Sequence, residues 1–530
     1  MATKTTEMAR VSAKGGFHLL WGLVVSTLIS AVGTIIIARL LGAGNYGLYT
    51  IALSAPALIS TFRDWGINSA MIRYSAQYNS QNNTDKIKGI FVSGLVFEII
   101  LGLLLSVLTF FLSGFIAATF NRPTIAPLLQ IISITVLAGA LMNAATAAYT
   151  GMETMHLNSI MLIVHSTAKT ILILALVLFG FGTIGAVTGF SIATSIAGLT
   201  SVLLMFTIYR SLPKSTHTKL EIIATTKTML KYGLPVSIGA IILGFLVQFY
   251  SFILAIYVSN NAVIGNYSVA LNFVVLITFF ATPVTTMLFP AFSKLDAQKD
   301  KALFGNIFQY SVKYASFIVV PVTAMVMVLS QPAIRTIFQD RYEQAPLFLA
   351  LLSITYLYTA LGNLSVGNLI NGQGHTNFNL KISILTAAIG FPLSFILISN
   401  FGVIGLIVTS LTVSLPGLFI SLRFIKNKFD VSVDWVSSGK IMLSSALAAI
   451  LTYVLISELA FSNPIKLSIG IFAFVIVLVP AALITRTVNA ADISNLREIS
   501  NGLGFLRNPL NSLISLLEKL MKILQRQKQN

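Results

Sequence analysis

The sequence predicts an all-α polytopic membrane protein of about fourteen transmembrane helices. It predicts two six-helix bundles related by an internal repeat, followed by two extra C-terminal spans. Three observations lead there. The chain is 56% hydrophobic and only 9% charged, against about 25% charged residues in a soluble domain, and its mean hydropathy is +0.87. Fourteen apolar segments reach membrane-spanning length. Residues also recur at a nearly fixed spacing. Gly265-Asn266-Tyr267 echoes Gly44-Asn45-Tyr46, Lys294 echoes Arg73, Gly372 echoes Gly151 and Asn379 echoes Asn158, all at 221 positions. Phe401-Gly402-Val403-Ile404-Gly405 repeats Phe181-Gly182-Thr183-Ile184-Gly185 at 220.

Each element follows from the local pattern. The polar tail 1–16 leads into an apolar run of 22 residues, 17–38. That run is too long for a signal-peptide core and no small-residue cleavage site follows it, so it is the first span. Five more lie near 46–62, 89–117, 124–149, 157–180 and 183–208. The next six lie near 232–258, 264–292, 307–330, 345–370, 378–399 and 402–422. Two spans near 441–461 and 467–485 have no counterpart in the repeat. The expected organisation is an N-terminal bundle (1–209), a polar Thr/Lys-rich cytoplasmic linker (210–231), a second bundle (232–425), two added helices (426–486) and a tail (487–530). In that tail Leu510, Leu513, Ile514, Leu517, Met521 and Leu524 fall on one helical face, with Lys519, Lys522 and Arg526 off it. This reads as an amphipathic helix on the inner leaflet, or one packed on a partner protein.

Basic residues orient the chain. With the N-terminus in the cytoplasm, 28 of the 34 lysines and arginines lie in inward segments. The excess obeys the positive-inside rule and requires an even number of spans, placing both termini in the cytoplasm. The net charge of +18 therefore reflects topology and contact with anionic membrane lipids rather than nucleic-acid binding. The chain has no cysteine.

The block Ala38-Arg39-Leu40-Leu41-Gly42 through Tyr46-Gly47-Leu48-Tyr49, followed by Asp64-Trp65-Gly66, resembles the opening of the oligosaccharide flippases of polysaccharide biosynthesis and export. These belong to the multidrug/oligosaccharidyl-lipid/polysaccharide exporter superfamily. The resemblance implies two bundles rocking about a central cavity in the plasma membrane. The cargo it implies is a polyprenyl- or dolichyl-(pyro)phosphate-linked oligosaccharide, moved from the cytoplasmic to the outer leaflet by alternating access. Glycan-assembly enzymes are the protein partners it implies.

Such a cargo has an anionic phosphate, a polar glycan and an apolar tail, so its cavity needs cations and hydrogen-bonding groups. Ionisable residues inside a membrane are functional hypotheses by default, because leaving them in hydrocarbon is costly. Lys169 stands about a dozen residues into the fifth span, roughly 18 Å from the surface at about 1.5 Å per residue, too deep to snorkel easily. It is read as a cavity cation for the lipid phosphate, against a structural partner for Glu98. Glu98, at similar depth, is either a carboxylate coupling transport to H+ or Na+ or the counter-charge to Lys169. Arg39 lines the outer mouth or anchors the first span. Arg63 and Asp64, with Arg73 beyond, form a cytoplasmic gate or a static interfacial ion pair, and Arg73 is also a candidate for the phosphate. Lys294 and Lys313 are further gate candidates. Gln248 and Asn272 offer uncharged groups to sugar hydroxyls, or simply bond between helices. His18 and His165 are packing residues or titrating switches. Pro56 and Pro283 are expected to kink their helices.

The sequence holds no Walker-type phosphate loop, no metal-ligand cluster and no large polar loop with carboxylates, so no cofactor, metal or catalytic residue is expected, and no enzyme. The competing expectation is an ion-coupled multidrug or small-metabolite antiporter on the same scaffold, which would favour acidic cavity residues.

Overall fold

The computed structural model describes residues 2–213, 221–293 and 301–485, together with Thr487, Arg497 and Ser515. The side chains of residues 2–18, 20, 283, 284, 286, 287 and 289–291 lie outside that description. All regular structure among the described residues is helical. In hydrocarbon every backbone N–H and C=O must be satisfied within its own segment, and a helix does this.

The first half comprises α1 (Ala2–Ser60), α2 (Ile67–Ser80), α3 (Thr84–Thr119), α4 (Ala126–Ile132), α5 (Ile134–Gly151), α6 (Met155–Leu176) and α7 (Gly182–Ser211). Then come α8 (Ile222–Tyr257), α9 (Asn261–Phe273), α10 (Val275–Ser293), α11 (Lys301–Val328) and α12 (Ser330–Phe338). The chain continues with α13 (Ala345–Leu357), α14 (Asn363–Gly372), α15 (Thr376–Phe429), α16 (Trp435–Glu458) and α17 (Asn463–Ile484). Among the described residues ten helices are long and apolar enough to cross a membrane. An eleventh is added if Ala345–Leu361 and Asn363–Gly372, bent by 53°, form one span. The protein is a multi-pass membrane protein.

Glycines break the longest runs. The stretch Met155–Ser211 has 57 residues, about 86 Å of continuous helix at 1.5 Å per residue, where the hydrocarbon core is about 30 Å thick. It turns at Gly180 (φ 91°) and Gly182 (φ 51°, ψ −131°). Helix α1 breaks at Gly42 (φ 72°, ψ 168°) and α15 at Gly402 (φ 56°, ψ −128°). These backbone angles need a residue without Cβ. Pro56 is carried inside α1. The Pro283 side chain is among those not described.

The chain forms two compact units. One contains residues 1–272, 341–344 and 380–413; the other contains 273–340, 345–379 and 414–530. The first unit thus extends past the 210–231 linker to take in α8 and most of α9. One of its cores gathers Ile67, Met71, Phe91, Tyr149, Met161 and Met205. In the second unit Phe292, Phe304, Phe308, Leu369 and Ile425 pack into another.

Two turns carry the 221-residue spacing in their geometry. Helix α5 ends at Gly151 and α14 at Gly372. Met152 (φ −92°, ψ 5°) matches Gln373 (φ −88°, ψ 11°), and Thr154 (φ −90°, ψ 52°) matches His375 (φ −86°, ψ 45°). Between them Glu153 (φ 60°) and Gly374 (φ 78°) are both left-handed. The backbone bonds agree as well: Thr154 N–H donates to the Tyr149 carbonyl and His375 N–H to that of Ile370. One turn later, Asn158 donates to Thr150 Oγ1 at 3.0 Å and Asn379 to Asn371 Oδ1 at 2.6 Å.

Candidate functional site

Within the first unit, small residues let α1 meet α8 and α9 at backbone distance. A Cβ on Gly47 would collide with the Asn261 carbonyl, and one on Gly265 with the Ala43 carbonyl. Gly47 and Gly265, 218 positions apart and three fewer than the sequence echo, thus meet face to face in the small-residue mode of membrane helix packing. Beyond the other end of α1, Gly66 and Gly233 meet the same way, each excluding a Cβ from the other. Ser69 and Ser237 share a 3.0 Å hydrogen bond there, and Phe62 and Phe245 pack edge to face at 5.1 Å.

Between these contacts lies a cavity of about 220 Å³. Its polar atoms come from Thr50 and Ser54 of α1, Gln248 and Ser251 of α8, and Tyr267, Ser268 and Asn272 of α9. Ile51, Leu53, Leu254, Ile264 and Leu271 add apolar wall. The two uncharged candidates from the sequence, Gln248 and Asn272, therefore share one cavity. Asn272 is held in place, its amide donating to Tyr46 Oη at 3.0 Å and to the Ser268 carbonyl at 2.8 Å. Sequence reasoning missed Thr50, Ser54, Ser251 and Tyr267, since hydroxyls in membrane helices commonly bond their own backbone and give no pattern. Thr50 and Ser54 do bond it as well, donating to the carbonyls of Gly47 at 2.9 Å and Ile51 at 2.7 Å.

The charges are arranged differently from the sequence expectation. Arg63, just after α1, pairs with Glu98 of α3 at 3.1 Å, and both side chains are buried. Asn68 Nδ2 donates to the second Glu98 oxygen at 2.8 Å, and Arg63 Nη1 donates to the Val136 carbonyl at 3.2 Å. The counter-charge of Glu98 is thus Arg63 and not Lys169. Nor does Asp64 pair with Arg63: its Oδ1 accepts from the backbone N–H of Gly66 at 2.9 Å and of Asn68 at 3.4 Å, ordering the start of α2. The desolvated arginine needs the one carboxylate at its own depth, while Asp64 is better used on free backbone donors.

Lys169 is half-buried on α6. Among the described residues no carboxylate stands within ion-pair distance of it. One turn before it, His165 Nε2 lies 3.3 Å from Thr194 Oγ1 and the ring packs against Phe190 at 6.4 Å, as a packing histidine does. Arg73 is exposed on α2 with its guanidinium 4.1 Å from the Tyr232 ring centroid, a cation–π stack between α2 and α8. The exposed Arg39 precedes the Gly42 break, and its carbonyl accepts from Arg341 Nη1 at 2.7 Å. In the second unit Lys313 lies beside the carboxylate of Asp434. Lys294 and the amphipathic tail lie outside the described residues, as does the His18 side chain.

Sequence reasoning also missed Arg122, in the connection after α3. Its five N–H groups have five acceptors: Asn261 Oδ1 at 2.6 Å and the carbonyls of Phe120, Ala255, Val258 and Ser259 at 2.5–2.9 Å. It thereby satisfies the terminal carbonyls of α8 that a helix leaves unpaired. Tyr342 does the same for α1, donating to the Ala38 carbonyl at 2.7 Å.

The family model described as "Polysaccharide biosynthesis protein" matches residues 12–296. The uncharacterized membrane protein MJ1068 of Methanocaldococcus jannaschii is 24% identical over 386 residues, 69% of this chain and 74% of that protein. The lipopolysaccharide biosynthesis protein WzxC of Escherichia coli is 22% identical over 379 residues, 70% of this chain and 73% of its own. Among solved structures, the lipid II flippase MurJ in an inward closed conformation is similar with a TM-score of 0.70 at 15% identity, covering 88% of this chain and 98% of its own. An inward-facing multidrug resistance MATE family transporter is similar with a TM-score of 0.61 at 13% identity, covering 78% of this chain and 99% of its own. At such identities the solved structures speak for the fold.

Proposed function

The chain belongs to the polysaccharide biosynthesis protein family, and from that premise we propose that it is a flippase for a lipid-linked oligosaccharide. It moves a glycan carried on a polyprenyl or dolichyl (pyro)phosphate from the cytoplasmic to the outer leaflet of the plasma membrane by alternating access. The observation that carries the reading is Lys169, a mid-span cation with no carboxylate partner among the described residues. Glu98, which would have neutralised it, is taken up by Arg63 at 3.1 Å. A half-buried ammonium in a membrane helix needs an anion, and the phosphate of the cargo supplies one.

Dividing α1, the run Met155–Ser211 and α15 at their glycine breaks, and counting the bent pair as one span, turns ten apolar helices into fourteen spans. An even count fits both termini in the cytoplasm, with the basic linkers inside. The paired turns at 148–158 and 369–379 support the proposed six-plus-six repeat. Flipping down a gradient makes and breaks no covalent bond and requires no coupling ion, so the proposal is a transporter and not an enzyme. Assembly enzymes that make the glycan-lipid inside and consume it outside are the partners this task requires. The multidrug transporter's fold likeness favours an antiporter as second reading, but among the described residues none that lines the 220 Å³ cavity is acidic.

The test is the sidedness of glycan-lipid in cells depleted of the protein, read by membrane-impermeant periodate oxidation of its sugars. Accumulation of protected glycan-lipid, relieved by the wild-type protein and not by Lys169→Ala, is expected. Unchanged accessibility after depletion, in cells without a second flippase, would move the antiporter reading to first place.

A further inference from the structure

We propose that the cavity between α1, α8 and α9 is a subsite for a single uncharged sugar ring of the cargo, an inference that rests on the flippase reading. Size is the first argument. About 220 Å³ falls below the ~300–1,000 Å³ typical of pockets for drug-sized ligands, a volume on the scale of one ring.

The second argument is the hydrogen-bonding character of the wall. Gln248, Ser251 and Tyr267 line the cavity, and among the described residues none of their side chains is bonded to protein. They offer an amide with both donors and acceptor, and two hydroxyls. Asn272 presents the opposite capacity. Its two amide protons are committed to Tyr46 Oη and the Ser268 carbonyl, which leaves Oδ1 as an acceptor. Ser54 likewise has spent its proton on the Ile51 carbonyl and offers only lone pairs. Donors and acceptors thus share one small space. Each hydroxyl of a sugar both donates and accepts and can use both kinds. Gln248, Ser251 and Tyr267 can each donate or accept, and Asn272 Oδ1 and Ser54 Oγ accept, so the hydroxyls of one ring find both kinds of partner here.

The third argument is charge. Among the described residues none that lines the cavity is ionised. A uronic acid or amino sugar would find no counter-ion in this lining, so the lining favours a neutral ring. The aliphatic wall of Ile51, Leu254 and Leu271 suits the C–H faces of a pyranose. Recognition is therefore divided: Lys169 serves the phosphate and this cavity serves a neutral ring.

The test uses the full chain in lipid nanodiscs and saturation-transfer NMR with three probes: methyl α-D-glucopyranoside, methyl glucuronoside and methyl glucosaminide. Transfer to the neutral glycoside alone is expected, falling at least tenfold in Gln248→Leu and in Asn272→Leu. Ser251→Ala, which removes only a hydroxyl, serves as a second variant should either fail to fold, and a severalfold fall is expected there. Equal transfer to all three probes, transfer to none, or transfer to the neutral probe that survives every substitution would overturn the subsite. The depletion assay separates the two readings. If wild-type protein still restores glycan-lipid sidedness while the NMR result fails, the subsite falls and the flippase stands.

Discussion

Arg63 and Glu98 show how much a single buried pair decides. Both are removed from water and stand as an ion pair at 3.1 Å, so breaking the pair leaves a charge in a low-dielectric interior, typically at about 3–5 kcal/mol. Glu98→Gln should therefore lower the unfolding midpoint of the purified protein markedly. The double change Arg63→Met with Glu98→Leu should recover most of the loss. A double change as damaging as the single one would show that the pair does more than neutralise itself. Asp434 offers a gentler case. It caps α16 by accepting from the N–H groups of Val436 and Ser437 at 3.1 Å. Burial pushes its carboxyl up, but bonds from Ser437 and Val436 and the nearby Lys313 outweigh that and hold it below the ordinary aspartate range. A depressed carboxyl stabilises the fold above its unfolded pKa of about 4 and stops doing so as pH falls through the folded value. Asp434→Ala should cost about 1 kcal/mol at neutral pH, and its deficit in unfolding midpoint should shrink below about pH 4. A deficit that stays constant to pH 3 would rule out the charged cap. The sequence revealed that these residues were few and deep, but not who met whom. Glu98 and Lys169 looked like partners because depth was the only coordinate available. Side-chain pairing depends on which helix faces turn together, and Arg63 lay nearer by packing alone.

At the scale of elements, glycine decides where helices end. Gly402 holds φ 56° and ψ −128°, a region essentially closed to other residues and costing them about 1–3 kcal/mol. Gly402→Ala should destabilise by that order, whereas Gly367→Ala in α14, where a Cβ meets nothing within 4 Å, should gain about 0.5–1 kcal/mol. Thermal unfolding of both variants in detergent checks the contrast, and equal effects would contradict it. The apolar runs were legible in the sequence because hydropathy over some twenty residues directly reports the solvent a helix requires. The correspondence of the breaks at Gly182 and Gly402 was legible as well, since the two glycines recur 220 positions apart in the sequence and adopt nearly the same angles. Pro56 was expected to bend its helix. It sits inside α1, and the turn at Gly42 falls between the first two expected spans. The reciprocal Gly47 and Gly265 contact was hidden for a different reason. Its spacing of 218 is set by how two helices cross, not by the 221-residue register of the turns.

For the whole molecule, we propose that a family member with a deep lysine that has no carboxylate partner among the described residues, and with an uncharged polar cavity, carries a phosphate-linked glycan through the membrane. Composition made the membrane class readable, because it is a sum over the chain that no single contact can reverse. Gln248 and Asn272 were readable as polar residues in apolar spans, and they line one cavity. The hydroxyls around them were not, for lack of any pattern. The most direct measurement is flipping in proteoliposomes of purified protein, loaded with a fluorescent polyprenyl-pyrophosphate-linked neutral oligosaccharide and read by an impermeant quencher of the glycan label. Wild-type protein should bring the inner-leaflet pool within reach of the quencher. Lys169→Ala should slow that transfer at least tenfold while retaining the wild-type unfolding midpoint. Transfer no faster than in protein-free liposomes, or Lys169→Ala matching wild type, would contradict the account.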